Sequence, residues 1–294
     1  MFSILIPTYN NLEYLKVCIN SIKKNSNFNH QIIVHVNEGT DGTLEYIKKI
    51  NLEYTLSNEN IGMPKALNKA SMLAIKNYIL ISHDDFYYCP GWDDELMNNV
   101  NSINHKNFYL SSTMVGAGQV FFDAGNTIDN FNELKLLNNL KKIKTIDFQG
   151  TTKCPGLIHK EIWARVGGWS EEFSPTGGDD TDFAMKLWKI NIRIFKGLGK
   201  SLVYHFGSIT TRKKDKSLFT YLGSRGNKIF LKKWGLSINF FEKFYLRSGL
   251  DKNKNLIFNH YDGPIRNPIK TIDYYIELIK VKFQLIYLRI INYK

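Results

Sequence analysis

Residues 2–82 of this chain alternate short apolar runs with amphipathic segments, a pattern that few folds satisfy. The segments between the runs repeat apolar residues at helical spacing, and the runs themselves have strand length: residues 2–6, 31–36, 52–56 and 78–82. A β-α-β-α-β-α-β order predicts an α/β fold, with a mostly parallel sheet and helices on both faces. The dinucleotide fingerprint G-x-G-x-x-G does not follow the first strand, which counts against a nicotinamide-dependent dehydrogenase.

The fourth apolar run ends on two adjacent carboxylates, Asp84 and Asp85. In an open α/β sheet, ligands collect beyond the carboxyl ends of the strands. Two acids there can hold a divalent cation such as Mn²⁺ or Mg²⁺ through oxygen ligands, and that cation can neutralise a diphosphate. In isolation, such a pair would more often simply begin a loop. The metal interpretation predicts an enzyme that acts on a nucleotide-linked substrate.

The composition indicates the size of the core and the cellular compartment, but it does not identify a binding partner. The chain has 294 residues, 43% of them hydrophobic, which is enough for a large core. Its three cysteines are unclustered, it lacks a signal-peptide pattern, and no run approaches the roughly 20 apolar residues of a membrane span, so we expect a cytoplasmic protein. The net charge of +12 fits nucleic acid, anionic lipid, a phosphorylated substrate, or solubility alone.

Four short motifs together give the chain a family likeness. They are Pro7-Thr8-Tyr9-Asn10, the loop from Asn37 to Thr43, Asn60-Ile61-Gly62 with Asn68, and His83-Asp84-Asp85. In this order and spacing the chain resembles family 2 glycosyltransferases with the GT-A fold, over roughly residues 2–235. The resemblance implies a Rossmann-like catalytic domain with a mixed sheet, placed at residues 1–212. Residues 213–294 would form a helical, basic extension that packs on this domain or on a partner or membrane surface.

The resemblance also implies a metal site. Asp85, the last acid of the family's DxD motif, would bind the metal, and His205, which ends a later apolar run, would be a further ligand. Asp84 would contact the ribose or the waters on the metal. His83 stands where many family members carry an acid, so its role is left open.

The second acidic cluster supplies the catalytic base in this interpretation. Asp179 and Asp180 match a family pair at a helix N-terminus: Asp180 would deprotonate the acceptor hydroxyl, and Asp179 would hydrogen-bond other acceptor hydroxyls. Gly177 and Gly178 would let the backbone approach the acceptor, and Trp169 would be a stacking platform. An ordinary helix cap and a core tryptophan are the alternatives. By resemblance, a single base implies inversion at the anomeric carbon.

Residues near the ends of the first strands are candidates for holding the nucleotide: Pro7, Thr8, Tyr9, Glu38, Asn60, Lys65 and Asp84. Tyr9 offers an aromatic face to a base. Glu38 stands where family members usually carry an aspartate that accepts a hydrogen bond from uracil. A UDP-sugar is therefore the expected donor, although the longer side chain leaves the base open.

The sequence thus predicts an inverting, metal-dependent glycosyltransferase that acts on a hydroxyl of a glycan or lipid-linked glycan, without a nucleic-acid partner. A sugar-nucleotide nucleotidyltransferase is one alternative, but it needs a Gly-rich basic loop after the first strand. A basic nucleic-acid-binding protein is another, but it needs Arg-rich patches with interleaved aromatic residues, and neither feature is present. A non-catalytic sugar-binding relative would not need both acidic clusters.

The sequence also predicts the structure of two further segments. Residues 266–294 predict a last amphipathic helix whose apolar stripe includes Ile272, Ile279 and Phe283. The stripe could pack on the parent domain, form a homo-oligomer, or lie on anionic lipid, which would make the protein peripheral at the inner face of the membrane. Residues 114–151 lack periodicity and predict either an acceptor loop or lid, or disorder.

Overall fold

The computed structural model describes residues 1–207, 216–248 and 259–291. Nine strands form one sheet: β1 (Phe2–Tyr9), β2 (Gln31–Asn37), β3 (Glu53–Ser57), β4 (Tyr78–Ile81), β5 (Phe86–Tyr88), β6 (Phe108–Gly116), β7 (Phe148–Gln149), β8 (Gly156–His159) and β9 (Ile194–His205). The helices are α1 (Leu12–Asn25), α2 (Thr43–Lys49), α3 (Met63–Ser71), α4 (Trp92–Ile103), α5 (Glu133–Asn139), α6 (Lys160–Val166), α7 (Asp179–Lys189), α8 (Lys216–Trp234), α9 (Ile238–Phe241) and α10 (Ile272–Ile291).

The sheet has the order β3-β2-β1-β4-β8-β6-β9-β5, and β7 pairs with β9. Strands β1 to β4 are mutually parallel, as the alternation in the sequence predicts, while β8 runs antiparallel to β4 and β6. The expected α/β class with a mixed sheet is therefore confirmed. Because β1, β2 and β4 are parallel, the segments that follow them emerge at one edge of the sheet.

Strand β1 continues past the predicted end at Ile6. Pro7 pairs with His35 of β2, and the turn begins only at Asn10, which has a φ of +46°. A proline is tolerated inside this strand because β4 pairs with β1 only as far as Leu5. Beyond Leu5, the missing N–H breaks no ladder hydrogen bond on that side.

Strands β5 and β9 differ from the sequence prediction. Two short strands were expected at residues 192–195 and 202–204, but β9 is continuous, and its register with β6 shifts between Leu198 and Leu202. The extra residues form a bulge. The sequence did not predict β5, which pairs antiparallel with β9 so that Phe86 lies opposite His205. This pairing brings the residue before Phe86, Asp85, next to His205.

The segment 114–151 contains β6 residues, short 3-10 turns, α5 and β7. It is anchored by a small hydrophobic cluster in which Ala124 and Leu136 pack with Tyr204 and Phe206. The hydroxyl of Tyr87 also donates a hydrogen bond of 2.5 Å to Glu133 of α5. Of the two expectations for this segment, the structure thus favours an ordered element over disorder.

The basic extension shares its core with the sheet. Phe230, Phe241, Leu246 and Ile265 belong to the same buried hydrophobic cluster as the strands of the sheet. The predicted domain boundary at 212/213 lies outside the described residues, and the division into two domains stays a prediction.

The last helix packs through one face and exposes the other. Tyr274 and Val281 are buried and join Leu231 and Phe240 in a cluster with α8 and α9. The apolar stripe identified in the sequence is on the opposite side and exposed, so of the three alternatives for it the structure does not favour packing against the parent domain. We call it the outer face of α10, and its members are 48–81% exposed: Ile272, Tyr275, Ile276, Ile279, Phe283, Ile286, Tyr287 and Ile290. None of the helices in the described ranges is long and apolar enough to cross a membrane.

A buried carboxylate connects α7 to the extension. Asp182 is fully buried and accepts hydrogen bonds from Ser170 Oγ (2.5 Å) and Trp234 Nε1 (2.7 Å), and Lys233 Nζ lies 3.0 Å from it. Replacing Asp182 by Ala would leave the Lys233 ammonium and the indole N–H without this acceptor. We expect the free energy of unfolding to fall by about 2–4 kcal/mol.

Urea unfolding followed by circular dichroism measures this loss. The matched control is Asp273→Ala, which removes an acid from the exposed pair with Lys243 (2.7 Å) and should change the free energy of unfolding by less than about 1 kcal/mol. Equal effects of the two substitutions would show that Asp182 does not hold the extension in place.

Candidate active site

An open cleft of about 350 Å³ lies over the edge of the sheet where the parallel strands end. It is bounded by the segment after β4, by the loop before α7, by the end of β9, and by α8. Its lining residues are Met63, His83, Met114, Lys153, Cys154, Thr176, Gly177, Gly178, Asp179, Asp180, His205, Leu222 and Gly223. Residues more than a hundred positions apart in the sequence thus share one cavity.

Three side chains at this edge could hold a metal ion: His83, Asp85 and His205. Their ligand atoms all lie within 4.8 Å of one another. Asp85 Oδ2 is 3.3 Å from His205 Nε2, and Asp85 Oδ1 is 4.0 Å from His83 Nδ1. The structure therefore brings together Asp85 and His205, which are far apart in the sequence, and adds His83 to them.

The hydrogen bond of His205 tests whether a cation fits. His205 Nδ1 lies 2.5 Å from the carbonyl oxygen of Ala117, which can only accept, so Nδ1 carries a proton. Nε2 then faces the Asp85 carboxylate, an arrangement that needs either a second proton on the ring or a cation between the two atoms. Two ligand atoms that each lie about 2.1 Å from one ion, roughly at right angles, are about 3 Å apart. The 3.3 Å between Asp85 Oδ2 and His205 Nε2 is close to that spacing. The donor set of two imidazoles and a carboxylate suits a divalent transition-metal ion.

His83 fits the same role. Its ring stacks on Phe86 with centroids 4.9 Å apart, and its buried Nε2 has no hydrogen-bond partner among the described residues. Loss of hydration lowers the pKa of His83 to about 4, despite the opposing charge of Asp85. A neutral imidazole is the form that binds metals. Sequence reasoning left this residue open because it replaces the acid that the family motif leads one to expect.

Asp84 is not part of this candidate metal cluster, and its side chain is directed toward β1. The hydroxyl of Thr8 donates a hydrogen bond of 2.7 Å to Asp84 Oδ2, and both side chains are buried. Burial, together with the charge of neighbouring Asp85, raises the pKa of Asp84 to about 7. Two predicted nucleotide-binding residues are therefore bonded to each other at the end of β1.

Asp180 lies in the first turn of α7 and is partly exposed to the cleft. Lys153 Nζ donates a hydrogen bond of 2.5 Å to Asp180 Oδ2, and the backbone N–H of Thr181 donates one of 2.8 Å to Oδ1. Burial by itself would raise the pKa of Asp180, but the Lys153 ammonium outweighs it and holds the pKa below the ordinary value. Asp180 is thus ionised and directed into the cleft. Lys153 was not a predicted site residue, since a single lysine after an irregular segment carries no sequence signal.

The neighbouring acid, Asp179, is turned toward its own loop. Its carboxylate accepts hydrogen bonds from the backbone N–H of Gly177 (3.0 Å) and from the hydroxyl of Thr176 (3.1 Å), and the side chain is buried. Burial and the charge of Asp180 raise the pKa of Asp179 to about 7. In this structure Asp179 shapes the loop before α7, whereas Asp180 is the acid more open to an acceptor.

The two glycines of this loop accommodate the chain's own helix. Gly177 and Gly178 have φ angles of +109° and +78°, and a Cβ atom on Gly177 would lie 2.5 Å from the carbonyl oxygen of Leu222 in α8. Both glycines still line the cleft, but the space left by their missing side chains faces α8 and the segment after it.

Trp169 is not the exposed platform that the sequence suggested. Only 1% of its surface is exposed, and its ring packs 5.8 Å from that of Phe183 in the main core. Its backbone is held by Asn68, which accepts from the N–H of Trp169 (2.9 Å) and donates to its carbonyl (2.9 Å). The apolar residues around Trp169 draw the indole inward, which matches the core alternative.

The remaining nucleotide candidates surround the ends of β1, β2 and β3. Pro7 and Tyr9 are half-buried on β1, and Glu38 follows β2 with a φ of +61°. Asn60 is exposed, and its side-chain oxygen accepts from the N–H of Gly62. Lys65 is exposed in the first turn of α3. Among the described residues, this segment contributes Met63 to the cleft lining rather than Asn60 or Lys65.

Comparisons with known proteins show which family and fold the chain resembles. The model of the family described as glycosyl transferase family 2 matches residues 3–165, more than half of the chain. An uncharacterized glycosyltransferase of Rickettsia conorii is 31% identical over 209 residues, which are 65% of this chain and 32% of that protein. One of Rickettsia bellii is 34% identical over 113 residues, or 36% of this chain and 16% of that protein. The chain thus spans at most about a third of the length of these relatives.

Solved structures share the fold. Staphylococcus aureus TarS 1-349 in complex with UDP has a TM-score of 0.54 at 16% identity, covering 83% of this chain and 72% of that chain. The structure of GalNAc-T7 with UDP, GalNAc and Mn²⁺ has a TM-score of 0.54 at 14% identity, covering 70% of this chain and 43% of that chain. These similarities confirm the GT-A architecture expected from the sequence. The family match over residues 3–165 establishes that the chain belongs to glycosyl transferase family 2.

Proposed function

We propose that this chain is an inverting, metal-dependent glycosyltransferase that moves a sugar from a nucleotide-diphosphate donor to a hydroxyl of a glycan or lipid-linked glycan. The observation that carries the proposal is the shared cleft. His83 and His205 of the candidate metal cluster line the same cavity as Asp180, an acid at a helix N-terminus, and Asp85 lies directly beside the two imidazoles. Sugar transfer needs both a neutralised leaving group and a base for the acceptor.

A UDP-sugar is the donor that we infer. The TarS structures were solved with UDP and with UDP-GlcNAc, and the GalNAc-T7 structure with UDP, GalNAc and Mn²⁺. In this chain the ends of β1 and β2 offer Tyr9 and Glu38 to the base and ribose, and Asn10 Nδ2 lies 3.5 Å from Glu38 Oε2. That contact holds the longer acid of this chain near the turn after β1.

Asp85, His205 and His83 are the residues that would hold the metal, Mn²⁺ or Mg²⁺. When bound, a divalent cation supplies Lewis-acid stabilisation of the charge that develops on the departing diphosphate. The side chains contribute orientation: the carbonyl of Ala117 fixes the tautomer of His205, and the ring of Phe86 holds the plane of His83.

Asp180 is the proposed general base. The positive end of α7 and the Lys153 ammonium keep its carboxylate ionised, so it can accept the proton of an acceptor hydroxyl. The N–H of Thr181 fixes one carboxylate oxygen and leaves the other, Oδ2, toward Lys153 and the cleft. With Asp180 as the base, the resemblance to the family supports a single in-line displacement, and hence inversion.

Such an enzyme would work in polysaccharide biosynthesis in the cytoplasm, where sugar nucleotides are made. A sugar-nucleotide nucleotidyltransferase is less well supported, because the turn after β1 has no Gly-rich basic loop. The sequence has no patch of interleaved arginine and aromatic residues, which counts against a nucleic-acid partner.

Nucleotide release tests the proposal. Purified protein is incubated with a panel of sugar nucleotides, alone and with glycan acceptors, in Mn²⁺, in Mg²⁺ or in chelator. We expect slow hydrolysis of at least one UDP-sugar with a divalent cation, and its loss in chelator. NMR of the transferred sugar should then show the anomeric configuration opposite to that of the donor. Release of UDP at the same rate in chelator, or a product of retained configuration, would contradict the mechanism.

Lys153 provides a pH test of the base. Replacing it by Met removes the cation that lowers the pKa of Asp180, so that pKa should rise. Because the base must be ionised, the acid limb of the pH profile of kcat/KM should move to higher pH. Lys228→Met, an exposed lysine on α8, is the control and should leave the profile unchanged. An acid limb that stays in place in Lys153→Met would mean that Asp180 does not set it.

A further inference from the structure

Helix α10 is apolar on two opposite sides, and only one of them is covered by residues that the structure describes. The inner side, with Tyr274, Val281 and Leu285, packs on α8 and α9. The outer face, defined above, exposes aromatic and branched aliphatic side chains along the length of the helix. The structure describes nothing packed against this face. A continuous apolar strip of this kind marks an interaction surface.

Cations line both edges of the outer face. At about 100° per residue, Lys280 falls on one edge, and Lys282 and Arg289 fall on the other. The two acids of the helix are at its N-terminal end and already have partners within the chain: Asp273 pairs with Lys243 (2.7 Å), and Glu277 pairs with Lys280 (2.7 Å).

Lys282 and Arg289 have no acidic partner among the described residues. The outer face is therefore an apolar strip beside uncompensated positive charge, on a chain whose net charge is +12.

This charge pattern distinguishes the possible occupants. Two copies that met through this face about a two-fold axis would bring their cations to one interface, while their acids remain engaged elsewhere. An anionic lipid surface instead accepts the apolar strip among its acyl chains and the flanking cations at its headgroups. Tyr275 and Tyr287 suit such a boundary, because each has an apolar ring and a polar hydroxyl.

We propose that α10 lies in the plane of an anionic membrane surface, with its outer face among the lipids and its inner face on the protein. The helix is about 30 Å long at 20 residues, so it offers an extended line of contact. No helix among the described residues is suited to crossing a bilayer, and this docking mode requires none.

The position of α10 relates the membrane to the cleft. Leu222 on α8 lines the cleft, and Leu231 on the same helix packs in the cluster with α10. Nine residues of helix separate them, or about 14 Å along the axis. If the cleft transfers sugar as proposed above, a lipid-linked acceptor held in the same membrane would be close to Asp180. The docking proposal itself does not depend on that activity.

Vesicle co-sedimentation tests the docking. The full chain is mixed with vesicles of phosphatidylcholine, or of phosphatidylcholine with phosphatidylglycerol. We expect binding to the anionic vesicles to be at least about tenfold stronger and to weaken as salt is raised. Combined Ile279→Asn, Phe283→Asn and Ile286→Asn should weaken it by at least about tenfold. Lys282→Gln and Arg289→Gln should each weaken it by about fivefold.

The matched control is Met72→Asn with Ile75→Asn, which removes two exposed apolar side chains from another surface and should leave vesicle binding unchanged. Equal thermal stability of all variants shows that they are folded. Two results would overturn the proposal. One is anionic-vesicle binding that is absent or indifferent to the outer-face substitutions. The other is a concentration-dependent dimer in sedimentation velocity that the same substitutions disrupt while vesicles fail to bind.

Discussion

Replacing Asp180 by Asn should lower kcat for sugar transfer by about 10²–10⁴-fold, the range that a positioned general base contributes. The amide keeps the size of the side chain and can still accept from the N–H of Thr181, but it cannot take a proton from the acceptor hydroxyl. Donor binding should be nearly unchanged, because the metal-binding side chains and the ends of β1 and β2 remain intact. Steady-state kinetics with a fixed acceptor, together with calorimetry of UDP binding, measure both quantities.

The control is Asp123→Asn, an exposed acid whose side chain accepts a hydrogen bond from the Gly125 N–H of its own turn. It should leave kcat within about twofold of the wild-type value, because Asp123 is not among the residues that line the cleft. Should Asp180→Asn retain full kcat, another group must accept the proton. Asp179 would then be the next candidate, since its pKa of about 7 makes it a stronger base.

Replacing Asp85 by Ala should reduce Mn²⁺ affinity by at least about 100-fold and transfer activity by about 10³-fold or more. Asp85 is the only carboxylate in the cluster, and it lies between the two imidazoles, 3.3 Å from His205 and 4.0 Å from His83. Its removal leaves two neutral nitrogen ligands. The amplitude of the free Mn²⁺ signal in electron paramagnetic resonance gives the affinity independently of activity.

The Asp85 variant should remain folded, because Asp85 contributes a like charge beside buried Asp84 and raises its pKa. Asp123→Ala is again the control for non-specific metal binding. An unchanged Mn²⁺ affinity in Asp85→Ala would show that the metal does not bind at this site. Full activity in the presence of chelator would show that the reaction does not need a metal.

The sheet could be predicted from the sequence where each strand is an apolar run bounded by turn residues. Strands β1 to β4 satisfy this condition, and their parallel order follows from the helices between them. The predictions failed where pairing partners decide the outcome. Pro7 continues a strand because β4 has already diverged, and β9 is continuous because β6 holds both of its halves across a bulge. Local sequence contains neither fact.

The same distinction holds at the site. Asp85 was selected because it follows an apolar run, and His205 and Asp180 because the family resemblance implies their roles. The structure brings all three to one edge of the sheet. Lys153 was missed because its significance lies in a 2.5 Å contact with a residue 27 positions away. Trp169 was misassigned because an indole that stacks on a ligand and one that packs in a core look alike in a sequence.

In the proposed mechanism, a metal held by Asp85 binds the diphosphate of the nucleotide. Calorimetric titration of UDP into the protein tests it most directly, with and without Mn²⁺, in the wild type, Asp85→Ala and Asp180→Asn. The account predicts UDP binding that depends on Mn²⁺ in the wild type and in Asp180→Asn, and that is lost in Asp85→Ala. UDP binding of equal strength in all three proteins and in chelator would contradict it.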